Sequence, residues 1–328
     1  MRRLSILIPY WGRLTHLEET LVSVLQNRPE ACDVVVVLNH PYDDPYQLAG
    51  EVTFVPAEPQ LGLLGSVSRG LAACNTPLVH LLHCGMEVAP HWVESAMTHF
   101  DNEQVGAVAT LIARRDTPSR LVSAGVDYCP AGKIRRRSAG QLATAGLSDK
   151  QGASSPDPLA GFFRRQVLER VVALADGMDP ELGTGDLAAA TALLGVECVV
   201  EPRCRTYAAP DLVSTESSFR AGAADERLFW RWAAQHPRTN ALLGHLGLHT
   251  EELLRAVIRP TLVPRLVGRT LGGLQWSTVR RQRRAVEAWC SAQQNTAAEP
   301  TDADDAPRIM SIDDHRPPAS RLGDRRCA

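Results

Sequence analysis

At 328 residues, 44% of them hydrophobic and 22% charged, the chain has enough apolar content for a sizeable core, and disorder is excluded over most of its length. Thirty-five Lys and Arg stand against 37 Asp and Glu, a net charge of -2 that argues against a dedicated nucleic-acid binder and leaves only local patches to attract phosphates. The eight cysteines form no CxxC pair and no metal-finger spacing, so most read as small buried hydrophobes.

The opening, MRRLSILIPYWGR, has an apolar run that Pro9 cuts too short for a signal peptide or a membrane span, which predicts a cytoplasmic protein. LSILI at 4–8 stops as a buried parallel strand would. In THLEETLVSVLQ, Thr15 and Glu18 fit a capping box, and Leu17, Leu21, Val24 and Leu25 share one helical face. DVVVVL at 33–38 and VTFV at 52–55 are the next strands, and a helix over 67–73 leads to a fourth, LVHLL at 78–82. This alternation predicts a mostly parallel sheet with right-handed crossovers.

A helix over 90–100 and a strand, VGAVATLI at 105–112, follow. Residues 113–158, rich in Gly, Ser, Pro and charge, read as a long functional or mobile loop. GFFRRQVLERVVAL and GDLAAATALLG read as helices, and VECVV at 196–200 as a strand. From about Phe219 only helices are expected, in ERLFWRWAAQ, TNALLGHLGL, TEELLRAVI and WSTVRRQRRAVEAWC, with prolines at 237, 260 and 264 between them. The division expected is a sheet domain over 1–210, a helical appendage over 211–290 and a disordered tail over 291–328.

Strand-end loops are where ligands bind in such sheets, and here they carry a recognisable series. LSILIPYWGRLTHLEETLVSVLQ, DVVVVLN, QLGLLGSVSRGLAA, LVHLLHCGMEVAPHWVE, SAGVDY, AGFFRRQVLERVVALADGMDPELG and GDLAAATALLGVECVVEP resemble, in order, the segments of family 2 glycosyltransferases. The resemblance spans roughly residues 3–210 and implies a GT-A fold, a Rossmann-like sheet flanked by helices, here with a C-terminal helical appendage. It implies transfer of a sugar from a nucleotide-sugar donor to a carbohydrate or lipid-linked acceptor, in carbohydrate biosynthesis.

Such chemistry needs the base held, the leaving diphosphate neutralised and the acceptor hydroxyl deprotonated. By the resemblance, the family's base-contacting Asp falls on Leu38, beside the polar Asn39. Its metal-holding aspartates fall on Cys84 and Gly85, which offer no hard oxygen ligand. The usual divalent-metal site is therefore absent, with His83 and Glu87 beside the gap either replacement ligands or residues of a solvated turn. The family's general-base acids fall on Gly183 and Thr184, its following Arg on Ala190, and its late His near Tyr207, Ala208 and Ala209. Asp186 survives, either as a substitute catalytic base or as the N-cap of the Ala-rich helix. Asp179 and Glu181 upstream are surface turn residues or acceptor contacts.

For nucleotide binding, Pro9, Trp11 and Arg13 line the first loop, with Trp11 placed to stack on a base. Gly62, Gly65 and Arg69 fit a diphosphate, or only a turn and a solvated helix position. KIRRR at 133–137 could meet an acidic acceptor or be solvated. RRQRR, Arg280 to Arg284, lies between Trp276 and Trp289; it reads as the exposed face of a packing helix or as a peripheral contact with an anionic membrane. Two functions stay open: a metal-independent glycosyltransferase, and a catalytically inactive relative that binds a sugar, a nucleotide or a protein partner. A dehydrogenase does not fit, because IPYWGR has one glycine where GxGxxG is needed.

Overall fold

The computed structural model describes residues 3–143, 152–175, 183–213 and 218–298. Its first half holds four parallel strands, β1 (Leu4–Tyr10), β2 (Cys32–Leu38), β3 (Thr53–Pro56) and β4 (Leu78–Leu82), in the order β3-β2-β1-β4. Period-2 alternation sends Ile6 and Ile8 to one face and Leu7 to the other. The helix α1 (Leu14–Asn27) covers the first face with Leu17, Leu21 and Val24, and α2 (Leu63–Leu71) covers the second with Leu64, Val67 and Leu71. Burying each such side chain is worth about 1.5–3 kcal/mol. The register pairs Tyr10 with Leu38, which sets the loops after β1 and β2 side by side. Arg13 is the N-cap of α1 and no side chain caps it, so the expected Thr15–Glu18 capping box does not form.

Beyond β4 come β5 (Met86–Val88), α3 (Trp92–Met97), β6 (Val105–Arg114), β7 (Thr117–Ser123), β8 (Val126–Cys129) and β9 (Lys133–Arg136). They are followed by β10 (Ala160–Arg164), α4 (Arg165–Val172), α5 (Thr184–Leu193) and β11 (Glu197–Ala208). The sheet continues β4-β10-β6-β11-β5, with β10 antiparallel to both its neighbours, so this half is mixed where the alternation pointed to parallel strands. The segment AGFFR is a strand because its adjacent Phe162 and Phe163 enter cores on opposite faces. The expected long loop is largely β-structure: β7 pairs with β6, and β8 with β9. The first four residues of KIRRR are therefore the strand β9, and two of the cluster's arginines are paired, Arg136 to Asp157 at 2.9 Å and Arg137 to Asp127 at 3.1 Å.

Four helices close the described chain: α6 (Phe219–Trp232), α7 (Arg238–Ile258), α8 (Val263–Leu274) and α9 (Trp276–Ala298). TNALLGHLGL and TEELLRAVI form the single helix α7, and α9 runs past residue 290, into the stretch expected to be disordered; residues 299–328 of that stretch lie outside the described residues. Backbones of α6 and α8 touch, since a Cβ on Gly222 would meet the Arg265 carbonyl and one on Gly268 the Phe219 carbonyl. Leu228, Trp232, Val286 and Trp289 join the core that holds Leu7 and Phe163. Among the described residues no helix is long and apolar enough to cross a membrane.

Candidate active site

The carboxyl ends of β1, β2, β4 and β11 and the start of β5 converge at one end of the sheet, with Gly85 at the centre. Its N–H donates to Thr20 Oγ1 at 2.9 Å, and its carbonyl accepts from the Ala209 N–H at 2.8 Å. Gly85 has φ +86°, and a Cβ there would lie 2.8 Å from Leu212 Cδ1 and 3.2 Å from the His16 ring. An acidic side chain at this position would be strained and without space. Cys84 is fully buried, burial pushes its thiol far above the ordinary range, and it offers no oxygen ligand. The residues at this point do not fit a divalent metal.

Neither substitute ligand belongs to a group of three or more metal-capable side chains among the described residues. His83 Nδ1 donates to the Cys84 carbonyl at 2.7 Å, its ring stands 5.8 Å from that of Trp11, and burial lowers its pKa. The Glu87 carboxylate accepts from Arg115 at 2.5 Å, and Arg115 also donates to Glu19 at 2.8 Å.

Near Gly85, Arg13 and His16 share one carboxylate, Asp211. Arg13 Nη1 lies 3.4 Å from Asp211 Oδ2, and His16 Nε2 lies 3.4 Å from Asp211 Oδ1. The Arg13 side chain is 73% exposed at the start of α1, where helical N–H groups lack intrahelical partners, and that combination suits an anion. Sequence reasoning found Arg13 but neither His16 nor Asp211, because about 195 residues separate the partners and nothing local marks the pairing.

Several expected contacts are structural. Asn39 is fully buried, its amide donating to the Glu58 carbonyl at 3.0 Å and its oxygen accepting from Ser66 Oγ at 3.1 Å, so it braces two loops and does not face a base. Pro9 lies within β1, and the Trp11 indole N–H donates to the Leu61 carbonyl at 3.2 Å. Gly62 caps α2 and Gly65 sits in its first turn against Leu61. Arg69 is in the last turn of α2, its Nε donating to the Pro56 carbonyl at 3.3 Å, away from the helix start where a diphosphate would sit.

Asp186 is buried and not a free base, which corrects that expectation; it serves the helix start from the third position and not as the N-cap, its carboxylate accepting from the Gly183 N–H at 3.3 Å. Gly183 is the N-cap of α5, and Asp186, three residues on, is 2% exposed. Arg231 donates to its two oxygens at 3.0 and 2.8 Å, and the Trp232 indole donates at 2.8 Å. With both oxygens held, the carboxylate is an anchor between α5 and α6, not a free proton acceptor. Asp179 and Glu181 lie outside the described residues.

Comparison with known proteins agrees with this architecture. The mannosyltransferase PcManGT from Pyrobaculum calidifontis, solved in complex with GDP-Man and Mn2+, is similar with a TM-score of 0.50 and 16% identity, over 90% of this chain and 88% of that one. TarS 1-349 from S. aureus, solved in complex with UDP-GlcNAc, also gives 0.50, at 12% identity, over 89% of this chain and 92% of that one. GalNAc-T7, solved with UDP, GalNAc and Mn2+, aligns at TM-score 0.48 and 14% identity over 63% of this chain, which spans only 43% of that protein's length. No curated protein matches the chain. At these identities the likeness establishes a GT-A glycosyltransferase fold. The family model described as Glycosyl transferase family 2 matches residues 5–172, more than half of the sequence, and the chain belongs to that family.

Proposed function

We propose that the chain is a family 2 glycosyltransferase-like protein that binds a nucleotide or nucleotide sugar without a divalent metal, and that it is a binding module and not a transferase. The observation that carries this reading is the state of position 85: the place of a metal-holding acid is a glycine whose side-chain space is filled by Leu212 and His16. Arg13, held by Asp211, is the group that takes the diphosphate's charge, and the ring of Trp11, 5.8 Å from that of His83, is the aromatic surface for the base. The carboxylates near the cleft are committed, Asp211 to Arg13 and His16, Asp157 to Arg136, and Glu87 to Arg115. Replacing Arg13 by Ala is expected to lower affinity for UDP or GDP at least tenfold with the fold intact, as calorimetry would read. Wild-type affinity in Arg13→Ala would remove this site from the proposal.

A second reading, metal-independent sugar transfer, is favoured by two acids, Asp179 and Glu181, just ahead of α5 in the sequence. Release of UDP or GDP from a nucleotide sugar in the presence of EDTA, lost in Glu181→Gln or Asp179→Asn, would establish it. A peripheral contact with an anionic surface is supported by Trp276, 47% exposed, under the Arg280 guanidinium at 5.3 Å, beside Leu274, 76% exposed. Sedimentation with phosphatidylglycerol vesicles, weakened by exchanging Arg280 and Arg284 for Ser, tests that contact.

A further inference from the structure

Away from the cleft, two histidines and a glutamate converge between α6 and α7. His245 and His249 are one helical turn apart on α7 and so share a face. Their Nε2 atoms are 3.0 Å apart; His245 Nε2 is 3.2 Å from Glu226 Oε1, and His249 Nε2 is 3.1 Å from Glu226 Oε2. Glu226 and His245 are buried, and the His249 side chain is 30% exposed. This is the one group of three or more metal-capable side chains converging on a point among the described residues.

Three features go beyond proximity. His245 Nδ1 lies 2.8 Å from the Ala131 carbonyl, which can only accept, so Nδ1 carries a proton and Nε2, turned to the carboxylate, is the nitrogen left to bind a metal. A ligating histidine is held in this way, its second nitrogen donating to a backbone oxygen. Phe229 stacks on the His245 ring at 3.5 Å and 5°, which fixes its plane. The spacing also has the right size: the two Nε2 atoms are 3.0 Å apart and stand 3.2 and 3.1 Å from the two oxygens of Glu226, one each, and a tetrahedral zinc with bonds of about 2.0 Å sets its ligand atoms about 3.3 Å apart.

Charge points the same way. Asp225, Glu226 and Glu252 meet Arg265 and Arg269 in one network, three carboxylates against two guanidiniums. Arg269 Nη1 stands 3.5 Å from Glu226, while its Nε lies 2.7 Å from Glu252, which offsets most of its repulsion toward a cation.

We propose that Glu226, His245 and His249 bind Zn2+, with a water in the fourth position on the solvent side of His249. Two imidazoles and one carboxylate suit Zn2+ and not Mg2+ or Ca2+, which take oxygen ligands. The ion clasps α7 to α6 and, through Ala131, to the turn between β8 and β9. This site is independent of the nucleotide reading.

The test uses the full chain, stripped with chelator and titrated with Zn2+ and Co2+. The expected result is one equivalent bound per chain, the strong visible absorption of tetrahedral Co2+, and a melting temperature raised by Zn2+. All three should be lost in His249→Ala, chosen because His249 is the most exposed of the three. Should that variant not fold, the wild-type Co2+ spectrum decides, and no tetrahedral band overturns the site. Unchanged binding in a folded His249→Ala overturns it equally and leaves a hydrogen-bonded histidine pair only.

Discussion

The strand-end cleft and the C-terminal helices use charge in opposite ways. At the cleft, the ion pair of Arg13 and Asp211 is loose, at 3.4 Å, and partly exposed. Among the helices, Asp186–Arg231 and Glu226–Arg269 are buried and carry several hydrogen bonds each. Loose exposed charge is cheap to hold and free to meet a ligand, whereas buried paired charge fixes geometry and is costly to break. Asp186, buried and held by Arg231 and Trp232, belongs to the second class.

The largest expected effect is at that acid. Asp186→Ala leaves the Arg231 guanidinium buried and uncompensated, which should cost about 3–5 kcal/mol in chemical denaturation. Stability unchanged by the substitution would mean that Asp186 is not an anchor. Arg13→Ala, by contrast, should change stability by less than about 1 kcal/mol, since its pair is exposed.

Next in size is an acid sensitivity set inside the sheet. His80 is fully buried, its Nδ1 meets the Gly161 carbonyl at 3.1 Å, and its ring stacks on Phe162 at 3.9 Å. Burial pushes its pKa down to about 3 from the ordinary 6.5. Between these values the unfolded chain binds the proton and the folded chain does not, so stability falls as pH drops below about 6.5 and this contribution levels off below about 3. At pH 4.5 the loss should be about 2–3 kcal/mol. Denaturation midpoints measured from pH 7 to 4.5 in wild type and His80→Gln would read it, with a shallower slope in the variant.

A smaller effect comes from rebuilding the family's acid. Gly85→Asp forces a side chain into φ +86° against Leu212, which should cost about 1–3 kcal/mol and confer no Mn2+-dependent nucleotide binding. Gain of such binding would mean that the cleft opens more easily than its packing indicates.

Much of the fold was legible because β1, β2 and β4 are short continuous apolar runs and α1 carries a period of 3.6. β10 was not, since AGFFR runs straight into the helical pattern of RQVLERVV and only tertiary burial of Phe162 and Phe163 on opposite faces separates them. β5 is three residues long and carries too little pattern to read. In the cleft, that the side chains of Cys84 and Gly85 offer no oxygen ligand could be read directly. The role of Asp186 could not, because its partner Arg231 is 45 residues away and either reading fits the local sequence. The pair His245 and His249 was not read, because His249 falls between the two helices expected there, and Glu226 reaches the pair only through the packing of α6 against α7.

The most direct test of the cleft is calorimetric titration of the purified chain with UDP and GDP, once in EDTA and once in Mn2+. The account predicts binding of at least one nucleotide with the same affinity in both. Binding that appears only with Mn2+ would contradict it.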